Sequence, residues 1–231
     1  MNDYDVLVVG AGPSGSEATW ALVGRGLRVG LVTDSLDSVY RLENAPTGAP
    51  PEGSLLAEVA ASDPWELHRR AKYALEAQER LHLFQSSVVE LWLDGRRAAG
   101  VRTWEGFGYR AGAVVLAVGS FLGAQLAAGR LEEAAGRLGE AAYPDLYEHL
   151  RGLGFAFDSD RYEVPAAQGA PAYSVRFQRF AAGEWDEASG RLARFAGLYA
   201  AGRVVLGHTA AEARAASGLA LGRALDPGGR E

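Results

Sequence analysis

YDVLVVGAGPSG (residues 4–15) joins a short, β-branched apolar run to a turn carrying three glycines. Tyr4 to Val9 predicts a buried strand. Ser16 to Gly24, with Ala18, Ala21 and Leu22 on one face, predicts a helix, and Leu27 to Val32 a second buried strand. Strand, glycine turn, helix and strand within about 30 residues form a βαβ unit, which favours a right-handed crossover and a parallel sheet.

Gly10-x-Gly12-x-x-Gly15 sits between a predicted strand and a predicted helix, the setting in which this spacing binds a dinucleotide. Gly10 makes the tight turn, Gly12 lets the backbone approach a pyrophosphate, and Gly15 lets helix and strand pack closely. Pro13 and Ser14 complete the turn, and the unpaired amides of the first helical turn face the phosphates. A tight strand–helix turn without a ligand is the alternative. An acid is expected at the end of the second strand to hold ribose hydroxyls. Counting along the chain puts Thr33 at that place, with Asp34 next.

Outward from this unit, residues 41–58 are rich in Pro and Gly and read as a long loop. Ser62-Asp63-Pro64 opens a helix running to about Arg80, with Asp63 as cap and Pro64 in its first turn. Leu81 to Phe84 is a third strand. Val88–Leu93, Ala98–Trp104 and Gly106–Tyr109, separated by Asp94-Gly95 and Glu105-Gly106, read as an antiparallel meander within 87–110. Ala113 to Ala117 is a fourth core strand, and Tyr143 to Gly152 a helix. Residues 155–185 are aromatic-rich, with weak alternation at 173–180, and 155–195 are expected to form an irregular insert. Gly197–Ala201 is a last strand and Ala210–Leu225 a last helix. The expected organisation is one domain over 1–225 and a flexible tail at 226–231.

The 231 residues hold 23 Lys+Arg against 29 Asp+Glu, a formal charge of −6, 48% hydrophobic residues and no Cys. The apolar fraction is that of a folded chain, and the acidic balance argues against a general nucleic-acid binder. Thiol nucleophiles, thiolate metal sites and disulfides are excluded. The cations are 22 Arg and one Lys, Lys72, which has no glycine loop before it, so Walker-type and Schiff-base chemistry find no support. No hydrolase motif occurs, and His68, His82, His149 and His208 show no metal-ligand spacing. His68 and His149 are expected on helix surfaces. Ala111–Gly129 carries no charge, but its glycines divide it into a strand and a loop rather than a membrane span. The chain begins without a basic n-region, and a cytoplasmic protein is expected.

The order of elements, with a meander between the third and fourth strands, resembles the glutathione-reductase-type FAD-binding fold. This implies an α/β, Rossmann-like FAD/NAD(P)-binding domain with a parallel central sheet and an antiparallel meander. Within it, Asp5 to Ala18, Leu31 to Asp37, Ala113 to Gly123, Gly136-Arg137-x-Gly139-Glu140 and Gly197 to Leu225 resemble the GidA-type tRNA-modification flavoproteins. Glu17 after the glycines and Gly-Ser-Phe-Leu after the fourth strand carry that resemblance. It implies FAD, with Val88 at adenine through its backbone, Ala117, Val118 and Gly119 on the isoalloxazine side, and Gly202 and Arg203 near the ribityl phosphate. Arg203 stands where the fold has an acid; it pairs with a phosphate or faces solvent.

Two departures limit what carries over. Asn44 falls where the family has a catalytic cysteine, and Glu52 near its lysine. The family also has a nicotinamide-binding insert where residues 152–197 lie, and a helical tail beyond the position of Glu231 that docks partner and tRNA. The first expectation is a redox flavoprotein with FAD and NAD(P)H as candidate electron donor. The alternatives are a non-catalytic flavin-binding or partner-binding module, alone as a homodimer or beside a full-length relative, and a tRNA-modification enzyme in its own right. Direct tRNA binding and a membrane partner are not expected.

Overall fold

A computed structural model describes residues 3–61, 63–167 and 169–228; Ser62 and residues 229–231 of the expected tail lie outside the described residues. The elements are β1 (Tyr4–Val9), α1 (Pro13–Gly24), β2 (Val29–Thr33), α2 (Leu55–Val59), α3 (Pro64–Glu76), β3 (Leu81–Gln85), β4 (Val88–Asp94), β5 (Arg97–Thr103) and β6 (Gly108–Leu116). They continue with β7 (Gln125–Ala128), β8 (Leu131–Glu133), β9 (Ala135–Arg137), β10 (Glu140–Ala141), α4 (Asp145–Gly152), β11 (Phe157–Val164), β12 (Tyr173–Phe180), β13 (Leu198–Ala200), α5 (Arg203–Leu206) and α6 (Ala211–Ala224).

The main sheet runs β3-β2-β1-β6-β5-β4, with β13 also on β6. β3, β2, β1, β6 and β13 are parallel. Val9 pairs with both Val32 and Leu116, so the three chains leave the sheet side by side at one end. Along β1, Val6 and Val8 join one core with α1, α2, α3 and α6, whereas Leu7 and Val9 join a second core beneath the meander and α4. That division follows from the two-residue period of a strand buried on both faces.

The structure merges two expected strands. Most of Gly106–Tyr109 and Ala113–Ala117 falls in one strand, β6, running from Gly108 to Leu116, whose Arg110 pairs antiparallel with Gly100 and whose Val114 pairs parallel with Leu7 and Leu198. Gly112 lies at the change of partner, where a Cβ would come 2.9 Å from the Asp5 carbonyl. Residues 155–195 are also more regular than expected. β11 and β12, eight residues each, pair from Phe157↔Phe180 to Val164↔Tyr173 and extend through β7 and β8 into a second sheet. Its core holds Leu126, Tyr162, Val175 and Phe177, so the pairing rests on partners distant in sequence that local alternation did not reveal. Among the described residues no helix is long and apolar enough to cross a membrane.

The loop at 41–58 contains α2 and is tied down by Glu17. This fully buried carboxylate accepts from the Tyr40 hydroxyl (2.5 Å) and from the backbone N–H groups of Leu55 (2.8 Å) and Leu56 (2.9 Å). Burial pushes the Glu17 carboxyl up, and these three donors oppose that shift. His68 is likewise buried rather than on the surface, with Nδ1 2.6 Å from the Val39 carbonyl oxygen.

α1 and α6 cross with their backbones in contact. A Cβ on Gly218 would overlap the Ser14 carbonyl, and one on Gly222 would lie 2.5 Å from the Ala18 carbonyl oxygen. Glycines four residues apart stack on one helix face, and here they meet Ser14 and Ala18 on the facing helix. Gly218→Ala should therefore destabilise the fold by about 2 kcal/mol through overpacking, despite alanine's helix preference of about 1 kcal/mol. Gly24→Ala, at a helical position with no atom within 4 Å, should be neutral or stabilising by up to about 1 kcal/mol. Urea unfolding of the two variants checks the contrast.

Candidate functional site: a cleft at the ends of the parallel strands

The loops leaving β1, β2 and β6 border a cleft of ≈ 310 Å³. The glycine turn is its centre. Gly10 has φ +100°, and a Cβ there would also sit 2.5 Å from the Ala117 carbonyl oxygen. Gly12 is the N-cap of α1, and a Cβ on it would meet nothing within 4 Å. Pro13 follows, and α1 has no side-chain cap. The first-turn amides are thus left for whatever enters the cleft, and the helix dipole favours an anion there. α1 begins at Pro13, earlier than the expected Ser16, because Gly12 and Pro13 themselves form its start.

Of the residues singled out in the sequence, Gly10, Gly12, Pro13, Ser14, Thr33, Asp34, Val88, Ala117, Val118, Gly119 and Arg203 all border this cleft. Gly15 and Gly202 do not. A Cβ on Gly15 would overlap the Gly10 carbonyl, so Gly15 serves the packing of turn on helix. Gly202, φ +76°, turns its Cα toward the Ser14 side chain and donates its N–H to Ser217 Oγ (3.1 Å).

Thr33 and Asp34 stand together where one acid is expected. The Thr33 hydroxyl donates to the Ser35 carbonyl at 3.1 Å. Asp34 opens into the cleft, and its Oδ1 accepts from the Ser87 hydroxyl at 2.6 Å. The surrounding walls push the Asp34 carboxyl up by desolvation, with Glu140 adding to the shift and Ser87 opposing it.

The far wall holds a charge cluster that sequence reading did not assemble. Glu43 Oε1 accepts from Arg203 at 2.6 Å, its Oε2 accepts from Arg214 at 3.3 Å, and Arg137 approaches to 3.8 Å. Arg137 also pairs with Glu140 at 3.0 Å. The side chains of Glu43, Arg203 and Arg214 are 6%, 5% and 8% exposed. The Nε atoms of Arg137, Arg203 and Arg214 have no hydrogen-bond partner. Three guanidinium groups face Glu43 and Glu140 in this cluster, and Asp34 adds a third carboxylate to the same cleft. Glu43 and Arg214 are 171 positions apart, and an arginine within a helix reads locally as a polar face, so no local signal marks the pair.

A second cleft, ≈ 430 Å³, shares Arg203 and Arg214 with the first and is bordered by residues 43–47, Tyr162 and the start of α6. Arg203 lies over the Tyr162 ring at 4.4 Å, and His208 stacks on that ring at 5.6 Å. Desolvation, then Arg203 and Arg214, hold the His208 imidazole below its usual pKa, favouring the neutral form. Asn44, exposed, is on the loop bordering this cleft.

Burial opposes ionisation of Glu43, but Arg203, Arg214 and Arg137 outweigh it and hold its carboxyl at about 2. A depressed folded-state pKa contributes stability that is present above the unfolded value of 4.5 and is lost as pH falls toward about 2. Glu43→Gln should therefore lower stability near neutral pH by about 3–5 kcal/mol, the typical cost of breaking a buried pair. The gap to the unsubstituted chain should narrow below pH 4.5. Denaturant titrations from neutral pH down to about pH 2 measure both effects, since such a group changes charge between about pH 5 and pH 1.

The arrangement has clear relatives. A family model described as "Glucose inhibited division protein A" matches residues 5–64 and 57–160. The tRNA uridine 5-carboxymethylaminomethyl modification enzyme MnmG of Thermus thermophilus is 34% identical over 212 residues, covering 78% of this chain and 35% of that protein. This chain thus spans about a third of the length of the curated relatives it matches. The crystal structure of a GidA-related protein from Thermus thermophilus is similar with a TM-score of 0.89 and 47% identity, covering 95% of this chain and 96% of that one. Aquifex aeolicus GidA in its form II crystal shares the fold at a TM-score of 0.87 and 16% identity, over 96% of this chain and 62% of that one. The fold is the Rossmann-like FAD/NAD(P)-binding type, with a parallel central sheet and an antiparallel meander. Matched over most of its length in sequence and in fold, this chain belongs to the GidA family.

Proposed function

We propose that residues 1–225 act as a single FAD-binding domain and that the protein is a redox flavoprotein without the thiol chemistry implied by the resemblance. The observation that carries this reading is the convergence of the glycine turn, Asp34 and the arginine cluster on one cleft, in a member of a family of flavoproteins.

The residues suit a dinucleotide on three counts. Gly12 leaves open the space a side chain would fill, so a phosphate can approach the backbone. The uncapped start of α1 favours the two negative charges of a diphosphate, and Arg137, Arg203 and Arg214 border the same cleft. Asp34, fixed by Ser87, offers a carboxylate to ribose hydroxyls at the end of β2. Gly10, Gly12, Pro13, Ser14 and Gly15 then hold or shape the pyrophosphate site, Thr33 and Asp34 the ribose, and Val88 the adenine side. Ala117, Val118 and Gly119 border the path toward the ring, with Arg203 toward the ribityl chain and Gly202 packed behind it against Ser14. Bound FAD would supply hydride or electron transfer. The chain's own residues would bind and orient it, while neutral His208 in the second cleft can accept a proton. Asn44, an amide, provides no nucleophile where the resemblance places a cysteine, so the tRNA chemistry named for the longer relatives is not proposed for this chain.

The visible spectrum of the purified protein tests the reading. A flavin absorbance whose chromophore is released by heat as FAD supports it; a colourless protein that binds NADH instead overturns it. Anaerobic bleaching by NADH or NADPH then separates a redox enzyme from a flavin-holding module. Gly12→Val should fold, since its Cβ enters open space at φ −66°. It should nevertheless lose FAD occupancy by about tenfold or more, a binding penalty above ~1.4 kcal/mol.

A further inference from the structure

Two exposed aromatic rings stand in contact at the edge of the first cleft. Tyr143, 43% exposed, borders it, and Trp104, 61% exposed, lies against the Tyr143 ring at 5.6 Å and a tilt of 45°. They arrive from separate parts of the chain: Trp104 directly follows β5, and Tyr143 precedes α4. Contiguous exposed apolar surface, unlike apolar residues scattered singly, is where ligand grooves and partner sites are found.

The turn that carries Trp104 is fixed to the cleft wall. Trp104 N–H donates to the Ser87 carbonyl at 3.0 Å, and the Ser86 hydroxyl donates to the Glu105 carboxylate at 2.5 Å. Within the turn, Thr103 N–H donates to the Phe107 carbonyl and Gly106 N–H to the Thr103 carbonyl, each at 2.9 Å. Ser86 and Ser87 border the cleft beside Asp34, and Ser87 holds the Asp34 carboxylate. One hydrogen-bonded unit therefore sets both the carboxylate suited to a ribose and the position of the indole. A planar base attached to that ribose has an aromatic surface within the same end of the cleft. Two rings already in contact and anchored through the backbone lose little freedom on binding it.

We propose that Tyr143 and Trp104 form an aromatic lip that stacks on the adenine ring of the bound dinucleotide, an assignment that rests on the cleft being a FAD site. Tyr143 is the direct contact and Trp104 extends and supports it. The lip makes the protein prefer ligands that carry adenine over FMN.

Calorimetric titration of the full, flavin-stripped chain with FAD, ADP and FMN tests this. Base–aromatic stacking is generally worth about tenfold or more in affinity. Tyr143→Ala and Trp104→Ala should each weaken FAD and ADP by about that factor and leave FMN unchanged. Tyr143→Phe and Trp104→Phe should keep most of the affinity, because the ring survives. Trp65→Ala, which removes an exposed tryptophan on α3 outside the cleft, should change nothing. If both alanine variants bind FAD and ADP as the unsubstituted chain does, the lip is overturned while the FAD reading stands. Equal weakening of FMN would mark a general disturbance of the cleft and also overturn the lip. An unsubstituted chain that binds neither FAD nor ADP overturns the cleft assignment itself, and with it the lip, before any variant is made.

Discussion

At the glycine turn three backbone segments meet with no room for a side chain between them. Gly10 lies against the Ala117 carbonyl, and Gly15 lies against the Gly10 carbonyl and the Ala117 methyl. This approach locks the end of β1 to the end of β6 and sets α1 directly behind the turn. Because Val9 is in register with both Val32 and Leu116, the lock also fixes where the loops after β2 and β6 emerge. The loops that carry Asp34 and Val118 into the cleft take their position from that contact. α6 extends the same arrangement, since Gly218 and Gly222 let it rest on the carbonyls of Ser14 and Ala18.

Carboxylates, two of them buried, do much of the remaining positioning by holding a loop that has little regular structure of its own. Glu17 gathers Tyr40 and the first amides of α2. Glu43 gathers Arg203 and Arg214, and Glu212 accepts from the N–H groups of Thr47 and Gly48. Residues 43–48 are therefore pinned at both ends beside the second cleft. A carboxylate withdrawn from water is costly unless its lone pairs are used, and at Glu17 and Glu43 several donors converge on one group. The same chemistry produces opposite outcomes for the protons: burial prevails at Glu17, and the guanidinium charges prevail at Glu43.

Arg203 shows how a departure from the fold's usual pattern is accommodated. The sequence places a cation where the glutathione-reductase-type fold has an acid after the last strand. The structure brings an acid, Glu43, to meet it from a loop 160 positions away. The second alternative for this residue, a side chain facing solvent, does not hold: Arg203 is 5% exposed and lies over the Tyr162 ring.

The sequence alone determined the βαβ start, the glycine turn, the meander and the succession of core strands, because each is written in contacts between near neighbours or in a period of two or 3.6 residues. It also put Asp34, Val88 and Ala117–Gly119 near one another through the known behaviour of such a fold. It divided β6 in two and left β11 and β12 unassigned, since a strand that changes partners and a sheet built from distant segments leave weak local patterns. Tertiary structure alone decided that Gly15 and Gly202 shape the site without bordering it, that Arg137, Arg203 and Arg214 meet at Glu43, and that Trp104 touches Tyr143. Those relations depend on where separate chain segments come to rest in three dimensions, and only the packed sheet and its helices fix that.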